Sequence, residues 1–241
     1  MTGAHGTIDD VTTPSDLDVP PVRLPGQHEL PSEDGVPMET FRHRTQMNHL
    51  IAAFESALRE RDDVFVGGNM FVYFSPHPLK NEHFRGPDVL VVLGAEGQHE
   101  RLSWVLWEEM RLPDVVIELT SPSTRSEDYG KKKDIYERVW KTAFYAIYDP
   151  ATHQLDAWEL DGGRYRALEK DERGDVEIAI LGLRLGVRAL PLSLGIPAPS
   201  LRVIDREGKV FPTQTELETR TAELETRTAE LEAELARLRA R

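Results

Sequence analysis

Three residues in the middle of the chain have the types and the order that metal-assisted hydrolysis needs: Asp88, Glu118 and Lys132. Each acid lies in or beside a short apolar run, PDVLVVL from Pro87 to Leu93 and PDVVIELT from Pro113 to Thr120. A carboxylate in an apolar strand is costly unless it is paired or coordinates a metal. Two that converge make a hard-oxygen site suited to Mg²⁺ or Mn²⁺. A neighbouring lysine can stabilise developing negative charge or orient a water. Taken singly, either acid could instead cap a loop or pair with Arg85, Lys131 or Lys133. Asp114 also follows a proline, but it stands four residues before Glu118. That is roughly 13 Å along a strand, so Asp114 reads as a strand-start residue.

Other chemistries find no support. The chain has no cysteine, which excludes disulfides, thiolate metal sites and cysteine nucleophiles. Its eight histidines show no HExxH spacing, and neither a GxxxxGK phosphate loop nor a GxSxG elbow occurs.

The elements that must hold these residues follow from periodicity. Phe41, Thr45, Ile51, Phe54 and Leu58, widened by Leu50, predict a helix over 38–61. The Val- and Phe-rich stretch 64–74, broken by Gly67, Gly68 and Asn69, predicts a strand or two short ones around a turn. The two acid-bearing runs are buried strands, separated by a variable connection over 94–110. After a turn at 121–124, residues 126–141 predict a helix on which Asp128, Lys132 and Tyr136 share a face at four-residue steps. A third strand at 142–148 and a hairpin around Asp161, Gly162 and Gly163 come next. Further strands are expected near 176–181 and 183–190. This order predicts an α/β domain with a central mixed sheet and flanking helices.

The flanks differ in kind. Residues 1–36, rich in Pro, Gly, Asp and Thr, read as a disordered tail, so the folded domain is expected at 37–212. In the C-terminal segment 213–241, Leu217, Leu224, Leu231 and Leu238 share one heptad position, and Thr221, Thr228 and Leu235 the other. That pattern predicts a coiled-coil helix and a homo-oligomer, a dimer in the simplest case. A solvated single helix held by charge pairs is the alternative. The net charge of −13 concentrates outside the core: 1–36 carries −6 and 207–241 carries −2, leaving −5 for 37–206. No basic stripe for phosphate is evident. Neither a signal peptide nor an apolar run of membrane-spanning length is visible, so a cytoplasmic protein without a membrane partner is expected.

The stretch PDVVIELTSPST from Pro113 to Thr124, followed by Asp128, Lys132 and Tyr136, resembles the Uma-type family of restriction endonucleases, within the PD-(D/E)XK nuclease superfamily. The run GPDVLVV from Gly86 resembles that family's first acidic motif, and FYAIYDP from Phe144 its segment after the helix. His49 is similar to a histidine of the family's first helix. The resemblance covers roughly 38–212. It implies a restriction-endonuclease-like fold, Asp88 and Glu118 as metal ligands, and Lys132 as the catalytic lysine. The superfamily lysine stands two residues after the acid, where this chain has Thr120; the family supplies it from the next helix. Glu55, Asp128 and Tyr136 are possible accessory residues. The implied activity is cleavage of nucleic acid, DNA in the first instance, with Mg²⁺ or Mn²⁺. A non-catalytic nuclease-fold binding module and a coiled-coil assembly protein are the alternatives.

Overall fold

The structure is a computed structural model, and it describes residues 24–26, 28–30, 40–75, 84–96, 99–191 and 197–239. Helix α1 (Phe41–Leu58) is followed by β1 (Val64–Gly67), β2 (Val72–Tyr73), β3 (Phe84–Arg85), β4 (Val89–Leu93) and β5 (Trp104–Val105). A one-turn helix α2 (Leu106–Glu109) leads to β6 (Val115–Leu119). The next helical segment runs as α3 (Arg125–Glu127), a π-helical turn (Asp128–Lys132), α4 (Lys133–Ile135) and a second π-helical turn (Tyr136–Trp140). Strands β7 (Phe144–Tyr148), β8 (Leu155–Asp161), β9 (Arg164–Ala167), β10 (Val176–Ile178), β11 (Leu183–Pro191) and β12 (Pro197–Ile204) precede helix α5 (Gln214–Arg239).

The central sheet has the strand order β1-β4-β6-β7-β8-β9 and is mixed: β6 and β7 run parallel, and every other neighbouring pair is antiparallel. A parallel pair needs a crossover, and the helical segment 125–140 supplies it. Both faces of the sheet are covered, which is why β4, β6 and β7 read as unbroken apolar runs. Val89, Val91, Val115, Ile117, Phe144 and Ala146 pack towards α1 and a second sheet, β10-β11-β12. Leu90, Val92, Val116, Tyr145 and Ile147 pack against Tyr136 and Trp140 of the crossover helix. The β8–β9 turn carries Gly162 and Gly163 at positive φ, 56° and 83°, as a tight hairpin turn requires.

Several elements depart from the periodic reading. The stretch 64–74 supplies strands to two different sheets, since β2 pairs with β3 and β5 in a small third sheet. The connection 94–110 contains β5 and α2. The sequence reading did not anticipate β12, whose proline-rich start obscures it. Most of 1–36 lies outside the described residues. Where that stretch is described it packs: Leu30 is buried with Tyr73 and Val105, and the Trp107 indole N–H donates to the Pro25 carbonyl at 3.0 Å. The half-buried indole finds in it the acceptor that its N–H needs, and composition does not reveal it.

Helix α1 is fastened to β12 by a side-chain amide. Gln46 Nε2 donates to the Leu201 carbonyl at 2.9 Å, and the Leu201 N–H donates to Gln46 Oε1 at 3.0 Å. Gln46 thus completes the free edge of β12, whose other edge pairs with β11. Replacing Gln46 by Leu would leave two buried backbone groups without partners, at about 1–3 kcal/mol each. Urea unfolding of Gln46→Leu should therefore show a loss of about 2 kcal/mol or more; an unchanged midpoint would show that α1 does not depend on this link.

Candidate active site

The strand register brings the two acids together. Strands β4 and β6 pair Val89 with Ile117, Leu90 with Val116 and Val91 with Val115. One further step in that register sets Asp88 opposite Glu118. Side chains alternate along a strand, so both acids fall on the face that Leu90 and Val116 present to the crossover helix. The Asp88 N–H donates to Glu118 Oε2 at 3.4 Å, and the Leu119 N–H donates to Asp88 Oδ2 at 2.6 Å. Like charges directly opposite one another are unfavourable, so this pairing calls for a cation.

The crossover helix delivers one. Its start is prepared by the turn at 121–124, where the Ser121 N–H donates to Thr124 Oγ1 at 3.0 Å and Arg125 N–H to the Ser121 carbonyl at 2.9 Å. Asp128, Lys132, Tyr136 and Trp140 recur every four residues and all turn towards the sheet. In an α-helix of 3.6 residues per turn each such step overshoots by about 40°. The two π-helical turns widen the spiral and keep the four residues on one side. Lys132 Nζ lies 3.1 Å from Glu118 Oε2 and 2.9 Å from Asp128 Oδ1. The Tyr136 hydroxyl donates to Glu118 Oε1 at 2.7 Å, and the Tyr145 hydroxyl to the Asp128 carbonyl at 2.8 Å. Of the three adjacent lysines, Lys131 is exposed and Lys133 stacks 3.8 Å above the Trp158 ring, so Lys132 is the one at the carboxylates.

Burial governs the charges. It pushes the Glu118 carboxyl above the usual carboxylate range, with Lys132 pulling it back and Asp88 and Asp128 pushing it further. Burial alone would lower the Lys132 ammonium, but Glu118 and Asp128 outweigh it and hold the group well above its ordinary value. Tyr136 is pushed up by burial and by Glu118, so it remains a hydrogen-bond donor.

The remaining candidates divide. Asp114 accepts from the Leu93 N–H at 2.7 Å and serves as a strand-start residue. Glu55 is exposed on α1; twelve residues past His43, it is about 18 Å further along the helix. His49 faces Arg202 and Glu216 at the other side of α1. The residue α1 does bring to the cluster is His43, whose Nε2 lies 2.9 Å from Asp88 Oδ1. The sequence reading missed it, although a signal exists. His43 precedes Gln46, Met47, Leu50 and Phe54, the buried stripe of α1, at helical spacing. Thr120, in the place of the superfamily lysine, is buried, and its hydroxyl has no hydrogen-bond partner among the described residues. Gly68 is fixed by contact: a Cβ there would overlap the Asp88 carbonyl oxygen.

Among the described residues no cluster of three or more metal-ligand side chains occurs. Two hard carboxylates nevertheless fit Mg²⁺ or Mn²⁺, because Mg²⁺ is commonly held by one or two carboxylates, with waters and substrate phosphates completing its shell. Thr120, two residues after Glu118 and on the same strand face, carries a buried hydroxyl with no hydrogen-bond partner among the described residues.

Two substitutions probe this arrangement. Lys132→Met would leave buried acids without their cation and should lower stability by about 3–5 kcal/mol in urea unfolding; a loss below about 1 kcal/mol, as for an exposed pair, would contradict the coupling described. Gly68→Ala should cost about 1–3 kcal/mol through overpacking, and a neutral result would mean that the backbone at Asp88 is not tightly confined.

The family model described as "Putative restriction endonuclease", Uma2, matches residues 23–194. A crystal structure described as "a putative nuclease belonging to DUF820", from Anabaena variabilis, is 14% identical, with a TM-score of 0.45, covering 60% of this chain and 76% of that one. No curated protein matches the sequence. Among the described residues no helix is long and apolar enough to cross a membrane. The family match takes in most of the chain, including Asp88, Glu118 and Lys132, and the protein belongs to the Uma2 restriction-endonuclease family.

Proposed function

We propose that this protein is a divalent-metal-dependent endonuclease that hydrolyses phosphodiester bonds of DNA. The observation that carries the reading is the cross-strand pairing of Asp88 and Glu118, with Lys132 3.1 Å from Glu118, in a chain of a nuclease family. Asp88 and Glu118 would hold Mg²⁺ or Mn²⁺. A cation there supplies positive charge against the developing phosphorane and lowers the pKa of water.

The chain's own residues do the rest. His43 and the Leu119 N–H hold the two oxygens of Asp88. Tyr136 holds one oxygen of Glu118, leaving the other towards Lys132. Such fixed orientation removes reorganisation from the reaction. Lys132 carries the positive charge that assists at the nucleophile or the phosphate, and Asp128 positions it. The net negative charge of the chain, −13, weakens long-range attraction to DNA, so local cations at the site must carry phosphate recognition. We further propose that residues 213–241 join two copies of the chain.

The test is cleavage of plasmid, linear duplex, single-stranded DNA and RNA with Mg²⁺ or Mn²⁺, alongside Asp88→Ala, Glu118→Ala and Lys132→Ala, with the fold checked by circular dichroism. Metal-dependent DNA cutting reduced roughly 100-fold or more by each substitution is expected. A wild type that binds duplex without cutting it under any condition would overturn the reading in favour of a binding module. RNA as the preferred substrate would overturn the choice of DNA.

A further inference from the structure

Helix α5 leaves the domain with a row of bare leucines: Leu217, Leu224, Leu231, Leu235 and Leu238 are from 45% to 60% exposed. Thr221 and Thr228 complete the seam, and a shallow groove lies between Thr221, Leu224, Glu225 and Thr228. The threonines do not spoil the stripe. Thr221 Oγ1 donates to the Leu217 carbonyl at 2.9 Å and Thr228 Oγ1 to the Leu224 carbonyl at 2.8 Å. Their hydroxyl donors are satisfied within the helix and can enter an apolar contact without a lost bond.

The residues beside the seam name the occupant. With the leucines at d, position g holds Arg220, Arg227 and Glu234, and position e holds Glu218, Glu225, Glu232 and Arg239. In a parallel pair, each g residue faces the e residue that opens the following heptad of the other helix. The pairs are then Arg220 with Glu225, Arg227 with Glu232, and Glu234 with Arg239, all opposite in sign. A slip of one heptad sets Arg227 against Arg239 on one side of the seam and Glu234 against Glu232 on the other. In an antiparallel pair, where g faces g and e faces e, Arg227 meets its own copy, as does Glu225, and Glu218 meets Glu232. The sign reversal in the last heptad therefore selects one arrangement.

From this charge pattern, and resting on the reading that the segment joins two copies, we infer that residues 214–239 form a parallel, in-register coiled coil with a second copy of the chain. The consequence for the domain follows from how α5 is rooted. Thr213 and Glu216 form a capping box, with Thr213 N–H to Glu216 Oε2 at 2.8 Å and Glu216 N–H to Thr213 Oγ1 at 3.2 Å. The buried Arg202 of β12 grips the same Glu216 at 2.6 Å. Phe211 N–H still bonds the Val203 carbonyl. The coil thus springs from the domain without a flexible linker, and a parallel pair holds both domains at one end, with two candidate active sites in one particle.

The full chain tests this directly. Sedimentation equilibrium should give twice the 27.3 kDa chain mass. The chain has no cysteine, so Leu238→Cys offers a single thiol that meets its own copy only in the parallel arrangement, and mild oxidation should link most of the protein. The variants Arg220→Glu/Arg227→Glu and Glu225→Arg/Glu232→Arg should each raise the dimer dissociation constant roughly 100-fold, through four attractive pairs made repulsive. Mixed together they should restore tight pairing, because every pair regains opposite signs. A monomeric wild type, a dimer that Leu238→Cys does not link, or a mixture no tighter than its components would each overturn the inference. None of these readouts needs cleavage, so they stand or fall apart from the nuclease reading.

Discussion

The register of β4 against β6 is the constraint on which the rest depends. It places two carboxylates opposite one another at the end of an apolar sheet, Glu118 buried and Asp88 partly exposed, where like charges repel. Lys132 at 3.1 Å from Glu118 offers about 5 kcal/mol of attraction at an effective dielectric of about 20. Desolvating each buried ion costs several kcal/mol in return. The cluster is therefore poor as a source of stability and well suited to accept a further cation. That balance distinguishes it from Arg101 with Glu109, whose bonds at 2.6 and 3.1 Å close on themselves and on the backbone.

Much of the domain braces this one arrangement. The crossover helix gives up regular α-geometry in two π-helical turns, and in exchange presents Asp128, Lys132 and Tyr136 to the sheet together. Helix α1 steadies Asp88 through His43 and is itself fastened to β12 by Gln46. Gly68 allows the β1–β2 connection to lie against the Asp88 backbone, with Asn69 N–H bonded to the Pro87 carbonyl at 3.0 Å. Helix α1, strands β4 and β6 and the crossover helix thus converge on a site whose residues are scattered from 43 to 136.

What the sequence disclosed was local. The acid-bearing strands, the turn before the crossover helix and the hairpin at Gly162 and Gly163 are all patterns within a few residues, and the structure has each of them, as it has a helix over the C-terminal segment. Asp88, Glu118 and Lys132 were legible because their order is a motif. His43 was not, since its role depends on a strand 45 residues away, and the resemblance drew attention to His49 on another part of the same helix. The docking of Pro25 and Leu30 escaped for the same reason, since it depends on distant partners, Trp107 in one case and Tyr73 and Val105 in the other, whereas strand β12 was obscured by its proline-rich start. The π-helical turns leave no mark in a hydrophobic pattern that an α-helix would also satisfy.

The central claim is that Asp88 and Glu118 form one cation site, and uptake of Mn²⁺ followed by electron paramagnetic resonance measures it most directly. The account predicts one ion bound per chain in the wild type and none in a folded Asp88→Asn variant. Equal uptake by the two proteins, or no uptake by either, would contradict it.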